Sequence, residues 1–347
     1  MKIKNLNIIG LVAAFSVAAL SSATAQDVSS TPVGYVTITI NGNGYTAVTN
    51  PLQNAVVYSG TASSVAGDTI TTSFSLTADE VAATDAEGNS AYYVQTASGA
   101  IYDVTANTES TITVSSDVSS LISTDDAISV KKYTTLGDIF STDNAFGLTS
   151  GGDVTSSDVV YIMSADGAGS YAQYYYQTDP FGGFFGGNGW RAAGDVNTDR
   201  SDVIVAPDDG LIVNRISSGD VSLVVSGTVN AIDHTRTLPN GFSLVAYPFP
   251  VDTTLDDSGI YAADNGYTSG GDVAQSDVVF VLATDGSYTQ YYRQTDPFGG
   301  FFGGDGWRVA GDVNTDVGST VIPAGSAVII QHKGSGLTWS DSVPYSL

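Results

Sequence analysis

Gln177-Thr178-Asp179-Pro180-Phe181-Gly182-Gly183-Phe184-Phe185-Gly186-Gly187 returns letter for letter at 294–304. Each copy continues through Gly-Trp-Arg (Gly189, Trp190 and Arg191; Gly306, Trp307 and Arg308) into Gly-Asp-Val-Asn-Thr-Asp at 194–199 and 311–316. A loop this long that only joined two strands would be free to drift. Two identical copies therefore point to a recent duplication, a shared task, or both.

Outward from the loop the two copies stay in step. Thr134-Thr135-Leu136 matches Thr253-Thr254-Leu255, and Ser150-Gly151-Gly152-Asp153-Val154 matches Ser269-Gly270-Gly271-Asp272-Val273. Ser-Asp-Val-Val follows (157–160; 276–279), then an apolar run, an Asp-Gly turn (Asp166-Gly167; Asp285-Gly286) and a tyrosine-rich strand. An offset of roughly 120 residues is far longer than a solenoid unit and signals repeated small domains or pseudo-symmetric halves. After the loop each copy reaches a proline turn (Pro207; Pro323) and an apolar strand, Leu211-Ile212-Val213 or 327–330, that ends in a basic residue, Arg215 or His332 with Lys333.

Nearer the N-terminus, Val33, Tyr35, Thr37 and Thr39 alternate with Val36, Ile38 and Ile40 until Asn41-Gly42-Asn43-Gly44. Alternation ended by Asn-Gly predicts a strand entering a hairpin. Thr77-Ala78-Asp79-Glu80 before Val81 has capping-box form and admits a short helix, a strand or a turn. Strands are predicted at 91–96, 101–104, 111–114 and 127–132, between turn residues. Many short β-branched runs with almost no helical period predict an all-β fold of tandem sandwich or barrel-like repeats with an internal duplication. The boundaries drawn are 1–25, an N-terminal β region at 26–132, and β repeats at 133–240 and 241–347.

Residues 1–25 read as a secretory signal: a basic start with Lys2 and Lys4, an apolar run over 6–20, and Ala23-Thr24-Ala25 before Gln26. The apolar run falls short of the roughly 20 residues a membrane span needs, and no later stretch supplies them. The expected location is outside the cell or at its envelope surface, with the periplasm as the other compartment. The whole chain carries a net charge of -25, and losing the two lysines makes the mature chain more acidic still. Such a field argues against nucleic acid and anionic membrane as partners and favours divalent cations, cationic partners or plain solubility.

Chemistry is sparse. There is no cysteine, so thiol catalysis and disulfides are excluded. His234, in an expected linker, and His332, at a strand end, share no repeated setting; both read as surface residues and leave a Ser-His-Asp mechanism without support. All three glutamates, Glu80, Glu87 and Glu109, lie N-terminal to the repeats, which weakens a paired-carboxylate glycosidase. Asp195, Asn197 and Asp199, with Asp312, Asn314 and Asp316, set oxygens at alternate positions as a calcium loop begins. Arg200 and Val317 stand where that loop needs its turn glycine, so a looser Ca2+ site and ordinary Asx turns are both open. No other cofactor is expected.

The aromatic set of Phe181, Phe184, Phe185 and Trp190, with Phe298, Phe301, Phe302 and Trp307, admits three roles. These residues close the end of a sandwich, contact a partner or a second copy, or stack on sugar rings.

Several phrases together resemble an uncharacterised family of secreted repeat-containing β proteins from Verrucomicrobia-type bacteria. They include Val33-Gly34-Tyr35-Val36-Thr37, Thr49-Asn50-Pro51-Leu52, Thr135-Leu136-Gly137-Asp138-Ile139-Phe140, Gly210-Leu211-Ile212-Val213 and Ile322-Pro323-Ala324-Gly325-Ser326. The resemblance implies a secreted, repeated β protein and supplies no activity or site residues. The expectation is thus a secreted, non-enzymatic structural or adhesive protein of the cell surface or extracellular matrix, contacting itself or other surface proteins. Carbohydrate binding through the repeated aromatic loops is the alternative, and a glycoside-active enzyme the third reading.

Overall fold

The computed structural model describes residues 32–346 apart from Pro180, Phe181, Phe184, Phe185, Pro297, Phe298, Gly299, Phe301 and Phe302. The expected signal at 1–25 lies outside the described residues.

The described residues open with β1 (Val33–Ile40) and β2 (Gly44–Val48). It then forms β3 (Val56–Ala66), β4 (Thr69–Thr72), β5 (Tyr92–Thr96), β6 (Ile101–Asn107), β7 (Thr111–Val114) and β8 (Ala127–Lys132). These six close into a barrel in the order β3-β4-β7-β6-β5-β8, so it has no open edge. Its interior holds Ala62, Ile70, Val94, Val104, Ile112 and Val130. Residues 78–81 form a turn rather than a helix, with Asp79 at a φ of 62°. The capping box sits instead at Thr135 and Asp138, opening the one-turn α1 (Leu136–Phe140) after β9 (Thr134–Thr135).

The first repeat continues with β10 (Val159–Met163), β11 (Tyr171–Gln177), β12 (Gly189–Ala192), β13 (Ile204–Val205), β14 (Leu211–Arg215) and β15 (Val221–Thr228). The second consists of β16 (His234–Leu238), β17 (Gly241–Ala246), β18 (Thr253–Thr254), β19 (Val278–Leu282), β20 (Tyr288–Gln294), β21 (Gly306–Val309), β22 (Val321–Ile322), β23 (Ala327–His332) and β24 (Leu337–Asp341). Their sheets correspond strand for strand. One five-stranded sheet runs β12-β11-β10-β14-β2, the other β21-β20-β19-β23-β17; the two-stranded layers are β1-β15 and β16-β24.

One sequence expectation is corrected by this pairing. β1 and β2 do not form a hairpin: β1 pairs with β15 and β2 with β14. The amides of Gly42 and Asn43 donate outward, to Asp220 and to the Ser217 carbonyl, so Asn41–Gly44 is an arch between two layers. The first repeat takes β1 and β2 from the N-terminal region, the barrel is inserted between β2 and β9, and β16 belongs with β24 in the second repeat.

The apolar runs at 211–213 and 327–330 follow from burial on both faces. Leu211 and Val213 face a core with Ile40, Leu223 and Trp190, whereas Ile212 points the other way. Val328 and Ile330 face the matching core with Trp307 and Trp339, whereas Ala327 and Ile329 join Ile212, Leu244 and Ala246 in a seam between the two five-stranded sheets. The Asp-Gly hairpins tie the seam reciprocally: Tyr45 N donates to the Thr284 carbonyl at 2.9 Å and Phe242 N to the Gly167 carbonyl at 2.8 Å.

Candidate functional site

The repeated loops join β11 to β12 and β20 to β21, at the outer edge of each five-stranded sheet. Their bases are built around a buried arginine. Arg191 is 1% exposed, and Arg308 is fully buried. Arg191 donates from Nε to the Val196 carbonyl (2.9 Å), from Nη1 to the Trp190 carbonyl (2.8 Å), and from Nη2 to the Gly186 and Gly187 carbonyls (2.9 and 3.0 Å). Arg308 repeats the set on Val313, Trp307, Gly303 and Gly304 at 2.9–3.0 Å. Gln177 Nε2 adds bonds to the Gly187 and Val196 carbonyls, and Gln294 Nε2 to those of Gly304 and Val313. A planar guanidinium with a fixed fork of donors suits this convergence of carbonyls.

The glycines make room for that staple. Gly186 (φ 74°) and Gly303 (φ 77°) have left-handed backbone, and a Cβ there would lie 2.7 and 2.6 Å from the carbonyl oxygens of Asn197 and Asn314. Gly189 and Gly306 lie against their arginines, with an added Cβ 2.9 and 2.6 Å from Nη1. Above the base, Gly183 N donates to Asp179 Oδ2, and Asp179 N to Asn188 Oδ1; Asp296 and Asp305 repeat the arrangement with Gly300. Gly182, Gly183 and Gly300 are exposed.

Trp190 and Trp307 are not at the surface, which corrects their reading as stacking platforms for sugar. Trp190 is 0% and Trp307 1% exposed. Trp190 packs on Phe140 and Tyr176 and donates Nε1–H to the Ser141 carbonyl at 2.9 Å. Trp307 packs edge-on against Tyr267. The reason is strand alternation: each tryptophan is one step from its arginine and faces the sandwich interior. Phe181, Phe184, Phe185, Phe298, Phe301 and Phe302 lie outside the described residues.

The proposed calcium-loop aspartates act as turn caps. Asp195 Oδ1 accepts from Asn197 N and Thr198 N, and Oδ2 lies 3.3 Å from Arg200 Nη2. Hydrogen bonds from Thr198, then the turn amides, hold its carboxyl far below the usual range. Asp312 accepts from Asn314 N and Thr315 N in the same way, and Asp199 and Asp316 each cap the amide two residues on. Among the described residues, no group of three or more His, Cys, Asp or Glu side chains is placed to hold a metal.

The histidines are also corrected, because both are buried. His332 Nδ1 lies 2.8 Å from Asp277 Oδ2, and Asp277 further accepts from Thr268 N and Lys333 N. The matching place in the first repeat holds Arg215, 2.6 Å from Asp158, which accepts from Thr149 N and Ile216 N. The signal was present in the sequence: both Ser-Asp-Val-Val phrases face a strand that ends in a basic residue.

His234 stands edge-on to Trp339, 3.5 Å from Asp208, beside the Arg236 that pairs with Asp208 (2.9 Å) and Asp209 (2.8 Å). Burial, aided by Arg236 and opposed by Asp208, lowers its pKa below 6.5. The folded state then binds fewer protons than the unfolded chain once pH falls below 6.5, so this histidine's share of stability is present above that value and lost on acidification through the folded pKa. His234→Gln should flatten the fall in unfolding free energy between pH 6.5 and the carboxylate range. Identical slopes in wild type and variant, measured by urea titration, would remove this assignment.

Among the described residues no helix is long and apolar enough to cross a membrane. Comparison with protein-family models, curated proteins and solved structures finds no match.

Proposed function

We propose that the protein is a secreted, non-enzymatic structural or adhesive component of the cell surface or extracellular matrix, and that its two repeated loops are its contact elements. The observation that carries this reading is the pair of identical arginine-stapled bases under loops whose described tip glycines lie in solvent. Between those bases the sequence places Phe181, Phe184 and Phe185 in one loop and Phe298, Phe301 and Phe302 in the other. Two like contacts on one body raise avidity without strengthening either contact. The partner is a second copy or another surface protein, with glycans as the alternative.

Sedimentation velocity of residues 26–347 tests the reading. Large species are expected at micromolar concentration, and serine at Phe184, Phe185, Phe301 and Phe302 should return them to monomer. Millimolar calcium belongs in the same experiment. The second loop, where Val317 replaces Arg200 and leaves Asp312 without that ion pair, is where a calcium ion would bind first. A sharp monomer with and without calcium would sink self-assembly.

A further inference from the structure

A polar cavity of about 630 Å³ lies between the barrel and the first repeat, within the size range of small-molecule sites. Residues 87–90, Asp103, Ser115 and Tyr133 form the barrel wall; residues 162–165, Tyr174, Val203, Ile204, Ala206 and Asp209 form much of the other. The two units are fixed around it. Tyr174 of the repeat donates its hydroxyl to Glu87 Oε1 of the barrel at 2.6 Å, and Arg200 lies 3.8 Å from the same carboxylate. On the barrel side, Tyr133 donates to Asp103 Oδ1 at 2.6 Å.

The charge of the lining selects among ligands. No Lys, Arg or His is among the lining residues, so phosphate, sulfate and carboxylate ligands find no cation and meet three carboxylates. A polyamine needs carboxylates with charge to spare. Glu87 already lies beside Arg200 and Asp209 is paired with Arg236 at 2.8 Å, which leaves Asp103, held by Tyr133, as the one lining carboxylate with no ion pair among the described residues, too few for a ligand that carries several cations. The rest of the polar surface is neutral: tyrosine hydroxyls fixed by carboxylates, and serine hydroxyls at 90, 115 and 164. Acceptors and donors at fixed positions suit a ligand that is itself a set of hydroxyls on a carbon ring.

We propose that this inter-unit cavity binds a short, neutral saccharide. The site shares no residue with the stapled loops or with Trp190 and Trp307, and so stands independently of the loop reading.

Isothermal titration and saturation-transfer NMR on residues 26–347 would use cellobiose, maltose, mannobiose and diacetylchitobiose, with spermidine and glucose 6-phosphate as charged comparisons. At least one neutral disaccharide should bind saturably in the millimolar range or tighter. Ser164→Trp and Ser115→Trp fill the cavity from opposite walls, and each should weaken that binding by about tenfold or more. Circular dichroism should show both variants folded, since neither serine side chain makes a hydrogen bond among the described residues. Three results overturn the proposal: no neutral disaccharide binds, spermidine or glucose 6-phosphate binds more tightly, or both tryptophan variants bind as wild type. The four-phenylalanine variant should keep saccharide binding, and the cavity variants should keep the sedimentation profile.

Discussion

Arg308→Met is expected to lower the unfolding free energy by about 3–5 kcal/mol, and Arg191→Met by a similar amount. Each guanidinium is enclosed and donates to four carbonyls at the base of its loop. A buried acceptor that loses its donor costs about 1–3 kcal/mol. Four such acceptors would sum to about 4–12 kcal/mol, and the loss stays near the low end because Gly303 and Gly304 lie close enough to solvent for water to replace part of it. Lysine should rescue poorly, since one ammonium cannot reach the four carbonyls that a planar fork serves. By contrast, Asp316→Asn should cost less than about 1 kcal/mol. That carboxylate is more than half exposed and 3.6 Å from Arg308, so solvent screens the pair. Urea titration of these variants orders them; a lysine variant as stable as wild type would mean that the loop base does not depend on the fork.

The same buried arginine explains why the long identical stretch is identical beyond its aromatic residues. Gln177, Gly186, Gly187, Gly189 and Arg191 form one hydrogen-bonded unit, so changing one member strands the others. From sequence alone the glycines and phenylalanines drew attention and the arginine did not. Nothing local distinguishes a surface arginine from one enclosed by its own loop.

The all-β class was legible because alternation and turn chemistry are local, and the two-sided burial of β14 and β23 was legible as unbroken apolar runs. The barrel's insertion was not. It depends on β1 and β2 finding strands at 211–228, a pairing no local pattern records, and Asn41–Gly44 has the composition of a hairpin while making an arch. The Asp-Val-Asn-Thr-Asp phrases left two readings open for a related reason. Alternating oxygens serve a calcium loop and consecutive Asx turns equally well, and the difference lies in whether backbone amides already occupy them. The histidines were misplaced because their partners, Asp208 and Asp277, come from other strands or turns.

Trp190→Ala should be as disruptive as the loss of either arginine, at about 3–5 kcal/mol. The indole fills the first repeat's core between Phe140 and Tyr176, and its removal also leaves the Ser141 carbonyl without its donor. Trp190→Phe keeps most of the volume and should recover more than half of the loss, leaving the missing N–H bond at about 1 kcal/mol as the main residue. This changes how a glycan-binding experiment must be read. Loss of retention on a polysaccharide by Trp190→Ala with Trp307→Ala would report unfolding of both sandwiches, not removal of a stacking surface. Near-UV circular dichroism and urea titration separate the two: an alanine variant that keeps the native spectrum and loses less than about 1 kcal/mol would return the tryptophan to the surface. A variant that melts early directs the search for a glycan site away from both tryptophans and toward the cavity bounded by Asp103, Tyr133 and Tyr174.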